Sequence, residues 1–293
     1  MEKRSSTKKT IKNSDLPGTL FIVATPIGNT GDWTERAKKT LSQVDVVAAE
    51  DTRLLKRELA KVKLSPKKVV THHNHNEEIS TKGLIENLLS GQDVALASDA
   101  GTPLISDPGY RLVAAAREKN IKIVPVPGAS SLTAAISTSS LGGKTFFFGG
   151  FLSTQSESRK RELRRSRRSA ENIIFFEAPH RLREMFLEAE EIMGAGTLTL
   201  VCRELTKAYE EIIQAPLSEV RQYFQVNEPR GEFVVIFKGA PLEQLDAVET
   251  EKEVVKLLNY GRSASDVLEE LQPVTELTRK QLYDIILKFK KTV

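Results

Sequence analysis

A chain of 293 residues, 40% hydrophobic and 28% charged, is long enough for about two domains and too apolar for wholesale disorder. One cysteine, Cys202, and four histidines exclude an intrachain disulfide and a cysteine-rich zinc module, and they fit a reducing compartment. The net charge of +4 is unevenly spread: residues 1–13 carry +4 and residues 159–168 carry +6, so the other 270 residues net −6.

Taken in order, residues 1–16 read as a basic, solubilising arm. No apolar segment follows Lys3, Arg4, Lys8 and Lys9, so the start is not read as a secretory signal. No apolar run approaches a membrane span, and the expected location is cytoplasmic, with no membrane partner. From residue 17 the pattern alternates. Short apolar runs at 20–24, 44–48, 68–70, 94–97 and 121–124 predict buried strands, apolar on both faces. Amphipathic stretches at 34–43, 54–62, 78–89 and 110–119 predict helices between them. Strand and helix in alternation predict a parallel sheet covered on both sides. This first α/β domain closes at residue 140, before Leu141-Gly142-Gly143.

A second α/β domain is predicted over 141–240, with strands at 145–148, 172–176, 197–201, 210–213 and 232–237 and helices at 157–170, 179–193 and 217–224. Little helix separates the last three strands, which points to a mixed sheet. Residues 241–293 show no convincing strand and about three helices, the last over 278–290. The fold class is therefore α/β with two domains, a mostly parallel first sheet, a mixed second sheet and a small helical C-terminal appendage.

In an open parallel sheet, ligands collect at the carboxyl ends of the strands. There the sequence places Thr25-Pro26-Ile27-Gly28-Asn29, Glu50-Asp51-Thr52-Arg53, the stretch from Ser98-Asp99-Ala100-Gly101-Thr102 to Asp107-Pro108-Gly109, and Pro125-Val126-Pro127-Gly128-Ala129-Ser130-Ser131. Glycine and proline there let backbone approach a ligand, and Asp99 offers a fixed carboxylate. Singly, each loop also reads as an ordinary strand-to-helix turn. Neither Gly-x-Gly-x-x-Gly after the first strand nor Gly-x-x-x-x-Gly-Lys-Ser/Thr is present, against a dinucleotide fold and a P-loop.

In this order, the four loops resemble the tetrapyrrole-methylase superfamily, and most closely its RNA branch, the small-subunit rRNA cytidine 2′-O-methyltransferases. Phe175-Phe176-Glu177-Ala178-Pro179-His180-Arg181, Cys202-Arg203-Glu204-Leu205-Thr206-Lys207 and Gly231-Glu232-Phe233 agree. The resemblance spans residues 17–240, and the tail is similar to that branch's C-terminal helices. It implies S-adenosylmethionine (SAM) as methyl donor, with no metal, bound between two α/β domains. The matching positions are Ile27, Gly28, Ala97, Ser98, Asp99, Gly101, Thr102, Ser130 and Ser131, with Glu177, Leu205 and Glu232 from the second domain. It also implies a 16S rRNA or small-subunit partner and a homodimer. The Asp99 motif departs from the Gly-Asp-Pro form of the porphyrin enzymes, which points away from a tetrapyrrole substrate.

Transfer to a ribose hydroxyl needs alignment and a proton acceptor. Glu177 and Glu204 at second-domain strand ends, and Asp51 facing them, are the candidate bases. Each is equally accounted for by an ion pair with Arg181, Arg203 or Arg53. Arg53, His73, Arg181, Arg203 and Lys207 are candidate substrate contacts, with the 159–168 run extending a phosphate-binding field; a solvated helix face is the alternative for that run. His73 and His75 sit two apart, as a metal pair, a polar strand-end loop or a contact to RNA or SAM. Trp33 reads as a packing anchor more readily than a base-stacking platform. The competing functions are a methylase of a tetrapyrrole or other small molecule, and a non-catalytic SAM- or rRNA-binding assembly factor.

Overall fold

The structure, a computed structural model, describes residues 16–167, 171–239 and 245–290. The expected basic arm lies almost wholly outside these residues. The described chain divides into two units: residues up to Thr138 with Glu204–Glu210, and Ser139–Arg203 with the rest from Glu211.

The first unit runs β1 (Thr19–Val23), α1 (Glu35–Gln43), β2 (Val46–Ala49), α2 (Thr52–Lys61), β3 (Val69–Thr71), α3 (Glu77–Leu89), β4 (Val94–Ala97), α4 (Tyr110–Glu118), β5 (Lys122–Val126) and α5 (Ser131–Ser137). All pairings are parallel, in the order β3-β2-β4-β1-β5. Their register aligns the strand ends: Thr71 pairs with Ala49, Ala49 with Ala97, Ala97 with Val23, and Val23 with Val126. Five loops therefore leave the sheet from one row. Val47, Ala49, Ala95 and Ala97 face Trp33, Leu41, Leu55 and Leu59 on one side. Val46, Ala48, Val94 and Leu96 face Leu84, Leu88, Leu112 and Ala116 on the other. Trp33, 6% exposed, is a packing anchor.

Two sequence expectations need correction here. Within the first sheet, only β2 and β4 are buried along their whole length. The edge strands β3 and β5 expose Thr71, Lys122 and Pro125, because each lacks a neighbour on one side. Pro125 has no N–H to donate and suits the outer edge. Helix α5 lies outside the predicted helices, since Ser131–Ser137 offers almost no large apolar residues to mark a buried stripe.

The second unit comprises β6 (Phe146–Phe151), α6 (Ser156–Arg167), β7 (Asn172–Glu177), α7 (Pro179–Met193), β8 (Leu198–Arg203), β9 (Glu211–Pro216), α8 (Leu217–Val226), β10 (Phe233–Phe237), α9 (Ala247–Asn259), α10 (Ala264–Leu271) and α11 (Arg279–Lys290). The sheet order is β6-β7-β10-β8-β9, parallel only between β6 and β7. Phe175, Val201, Phe233, Val235 and Phe237 pack against Met185, Phe186, Val220 and Phe224 of α7 and α8. Helices α9 to α11 share a separate core of Val254, Leu258, Val267, Leu271, Leu282 and Ile286. Asp246 opens that bundle with a capping box to Glu249. Among the described residues no helix is long and apolar enough to cross a membrane.

The basic run is not a uniform surface. Arg159 is 1% exposed. Its Nε and Nη2 donate to Glu188 at 2.5 and 3.0 Å, and Nη1 donates to the carbonyls of Ser153 and Thr154. Glu184 lies 2.9 Å from Nη2, and Lys160 pairs with Glu191 at 3.5 Å. Only part of the run thus faces solvent, Arg161 among it; the side chains of residues 165–168 lie outside the described residues. Arg159→Ala strands a buried Glu188 and is expected to cost about 3–5 kcal/mol in urea unfolding. A loss below about 1 kcal/mol would show that the pair is solvated.

Candidate active site

The row of strand ends in the first unit is joined by its own hydroxyls. Thr25 and Gly101 form a two-way backbone bridge, with N–H to O distances of 2.9 and 3.1 Å. Thr25 Oγ1 donates to the Ser98 carbonyl at 3.1 Å, Ser98 Oγ to the Gly101 carbonyl at 2.7 Å, and Thr102 Oγ1 to the Ala129 carbonyl at 3.1 Å. The loops after β1, β4 and β5 are thereby fixed to one another. Their hydroxyls are engaged internally, which leaves backbone as the recognition surface. Gly28 and Gly101 sit at φ +151° and +82°, where a side chain is strained. Ile27, Ala97 and Ser98 are buried. Ser130 and Ser131 are half-buried where α5 begins.

Residues 98–109 hold two further left-handed residues, Leu104 and Ser106, at φ 71° and 67°. Such conformations cost roughly 1–3 kcal/mol each and need outside support. The far end of this stretch is anchored by Glu77, whose Oε1 accepts the N–H groups of Gly109 and Arg111, each at 3.1 Å. That carboxylate, on α3, caps α4.

Asp99 Oδ1 accepts the Asp51 N–H at 3.0 Å, tying the loop after β4 to that after β2. Asp51 Oδ1 in turn accepts the N–H groups of Arg53 and Leu54 at 2.8 and 3.3 Å. These bonds hold its pKa down, so Asp51 serves α2 as a cap and is a weak base. Arg53 is exposed. Burial raises the pKa of Glu50 and of Asp99. Burial and the nearby Glu50 and Asp99 charges push Asp107 up to about 7. Asp107 and Glu50 were not singled out from sequence; Asp107-Pro108-Gly109 looks like a turn, and its strand-tip neighbours become close only through the β2–β4 pairing.

His73 is half-buried, donates its N–H to Asn76 Oδ1 at 2.8 Å, and packs edge-to-face on His75 with centroids 5.9 Å apart. Its Nδ1 is buried without a partner. Among the described residues no group of three or more His, Cys, Asp or Glu is arranged to hold a metal.

The β8–β9 connection also belongs to the first unit. Glu204 and Thr206 are left-handed, at φ 50° and 67°, and Glu204 pairs with Lys207 at 2.8 Å. Leu205 is 8% exposed. The expected Arg203–Glu204 pair is replaced: Arg203 donates to the Arg230 carbonyl at 2.8 Å and lies 3.5 Å from Glu211. The left-handed turn at Glu204 carries its side chain toward Lys207 of its own loop instead.

In the second unit, Glu177 ends β7 and is 2% exposed. Oε1 accepts the Ala178 N–H at 2.8 Å, and Arg181 Nε lies 3.3 Å away. Oε2 is buried without a partner. Burial raises the pKa, outweighing Ala178 and Arg181. Arg181 Nη2 donates to the Leu152 and Ser153 carbonyls at 2.6 and 2.9 Å, so this guanidinium anchors the β6–α6 loop. Glu232 is exposed just before β10. Of the three candidate bases, Glu177 alone combines burial, a raised pKa and an unpartnered oxygen.

Asp107 gives a pH test. Its pKa in the folded chain, about 7, lies above its unfolded value. The stability it contributes is therefore complete below about pH 4 and is lost as pH rises toward about 7. Asp107→Asn is expected to flatten this fall in urea melts across that range. An unchanged pH slope would contradict the assignment.

The family model for tetrapyrrole (corrin/porphyrin) methylases matches residues 19–221. A Synechocystis protein named ribosomal RNA small subunit methyltransferase I is 40% identical over 93% of this chain and 99% of its own length. One of the same name from Bacillus subtilis is 40% identical over 92% and 94%. Among solved structures, the methyltransferase CobJ aligns with TM-score 0.59 and 17% identity over 76% of this chain and 95% of its own. A Thermus thermophilus uroporphyrin-III C-methyltransferase complexed with S-adenosylhomocysteine aligns with TM-score 0.55 and 19% identity over 75% and 97%. The chain belongs to the tetrapyrrole methylase family and is a SAM-dependent methyltransferase.

Proposed function

We propose that this methyltransferase modifies the ribose 2′-oxygen of a cytidine in small-subunit ribosomal RNA, working as a cytoplasmic homodimer. The observation that carries the reading is the overlap, across more than nine-tenths of both chains, with relatives named for that RNA. The departure of the Ser98-Asp99-Ala100 loop from Gly-Asp-Pro supports the same side of the family.

SAM, when bound, supplies a methyl carbon activated by its sulfonium. The strand-end row fits such a ligand: hydroxyls turned inward leave backbone at Ile27, Gly28, Ala97, Gly101 and Thr102. The carboxylates of Glu50, Asp99 and Asp107 favour a cation there. Leu205 lends apolar cover, and Ser130 and Ser131 extend the backbone surface. Among the candidate bases, the buried and unpartnered Oε2 of Glu177 supports this residue as the proposed proton acceptor for the ribose hydroxyl. A raised pKa makes it a stronger base than a solvated carboxylate. Arg53 in the first unit and Arg161 in the second are each exposed and each offer a cation for phosphate oxygens. Arg181 and Arg203 hold loops of the second unit through the carbonyls of Leu152, Ser153 and Arg230.

The test offers methyl-labelled SAM with assembled small subunits, naked small-subunit rRNA, transfer RNA and a porphyrin precursor. Label on a cytidine ribose is expected. Label on the porphyrin, or binding without transfer, overturns the reading. With about six phosphates contacted on single-stranded RNA, affinity should fall about 10²–10³-fold from 50 to 200 mM salt. Asp99→Asn keeps an acceptor for the Asp51 N–H and removes the charge. It should weaken SAM binding about tenfold without lowering the melting temperature, and equal affinity would take Asp99 out of the site.

A further inference from the structure

We propose that Lys207 positions the loop after β1 through its methylene stem, a role separate from that of its ammonium group. The inference rests on residues 25–29 forming part of the SAM site. A Cβ built on Gly28 would lie 2.3, 3.1 and 2.9 Å from Cγ, Cδ and Cε of Lys207. Three consecutive carbons of one side chain thus cover one glycine, in the space any other residue would need. The glycine at 28 is required by its φ and by this stem together.

The stem cannot easily leave. Lys207 Nζ is held by Glu204 Oε1 at 2.8 Å, and its N–H donates to the Glu204 carbonyl at 3.0 Å. The Thr206 N–H donates to Glu210 Oε2 at 2.6 Å, and the Glu210 N–H to the Lys207 carbonyl at 3.1 Å. With Glu204 and Thr206 left-handed, these bonds set the direction in which the side chain departs. Lys207 is 26% exposed at the side chain, the pattern of an apolar stem laid on backbone beneath a wetter head. The effect extends further. Ile27 is 7% exposed, and its Cγ2 would be 3.2 Å from a Cβ on Gly101. Movement at Gly28 is therefore passed to the loop after β4. Lys207 is in this sense a positioning residue for two strand-end loops.

The experiment compares the wild-type chain with Lys207→Met, which keeps the stem without the charge, and Lys207→Ala, which lacks both. SAM affinity is measured by calorimetry, with KM and kcat for methyl transfer alongside. Lys207→Ala is expected to raise Kd and KM for SAM about tenfold, and Lys207→Met to restore both to within about twofold. Melting temperatures should stay within about 2 °C; should Lys207→Ala fail to fold, Lys207→Gln, with a shorter neutral stem, is expected between the other two. Gly28→Ala also weakens SAM, and the double variant with Lys207→Ala should bind no worse than Gly28→Ala alone, because the added methyl then has room. Equal losses in Lys207→Met and Lys207→Ala would assign the role to the charge and overturn the proposal, as would wild-type affinity in Lys207→Ala. Failure of the wild-type chain to bind SAM at all would instead sink the donor-site reading beneath it.

Discussion

The structure of the site depends on one constraint: the register of the parallel sheet, which brings Thr71, Ala49, Ala97, Val23 and Val126 level. A slip of one residue in any pairing would turn that strand's side chains to the opposite face. It would also move its loop out of the common row. The register is enforced by burial, because β2 and β4 present small residues to helices on both faces. Large side chains at Ala48, Ala49, Ala95 or Ala97 would push the helices away. The Thr25–Gly101 bridge and the hydroxyl bonds of Ser98 and Thr102 are possible only because the row is level.

Much of this was legible in the sequence. Apolar four-residue runs separated by amphipathic stretches identify a doubly covered parallel sheet, and the glycines at 28, 101 and 109 mark where backbone must turn through positive φ. What stayed hidden depends on partners distant in sequence. Arg159 looks like one of seven equivalent cations, yet Glu184 and Glu188 on the next helix bury it. Arg181 looks like a phosphate contact, but the carbonyls of Leu152 and Ser153 claim it. Residues 204–210 follow a strand of the second sheet and cluster with the first unit, an association no local pattern encodes. In each case, residue type was evident while the partner was set by tertiary packing.

Carboxylates in this protein divide by what surrounds them. Asp51 and Glu77 accept backbone N–H groups at helix starts and serve as caps. Glu188 is bound by a guanidinium. Glu50, Asp99 and Asp107 lie near enough that the charges of the first two raise the pKa of the third, and Glu177 holds one oxygen in a buried place with nothing to bind. The first group stabilises the fold. The second carries unmet electrostatic demand, which is where binding and proton transfer are cheapest to build.

Trp33 is the chain's single tryptophan, and it is buried in the core of the first unit. Its emission therefore reports on one half of the molecule, whereas far-ultraviolet dichroism averages over both. Unfolding curves from the two probes coincide only if the halves lose structure together. One indole thus makes the cooperativity of the whole chain measurable without a label.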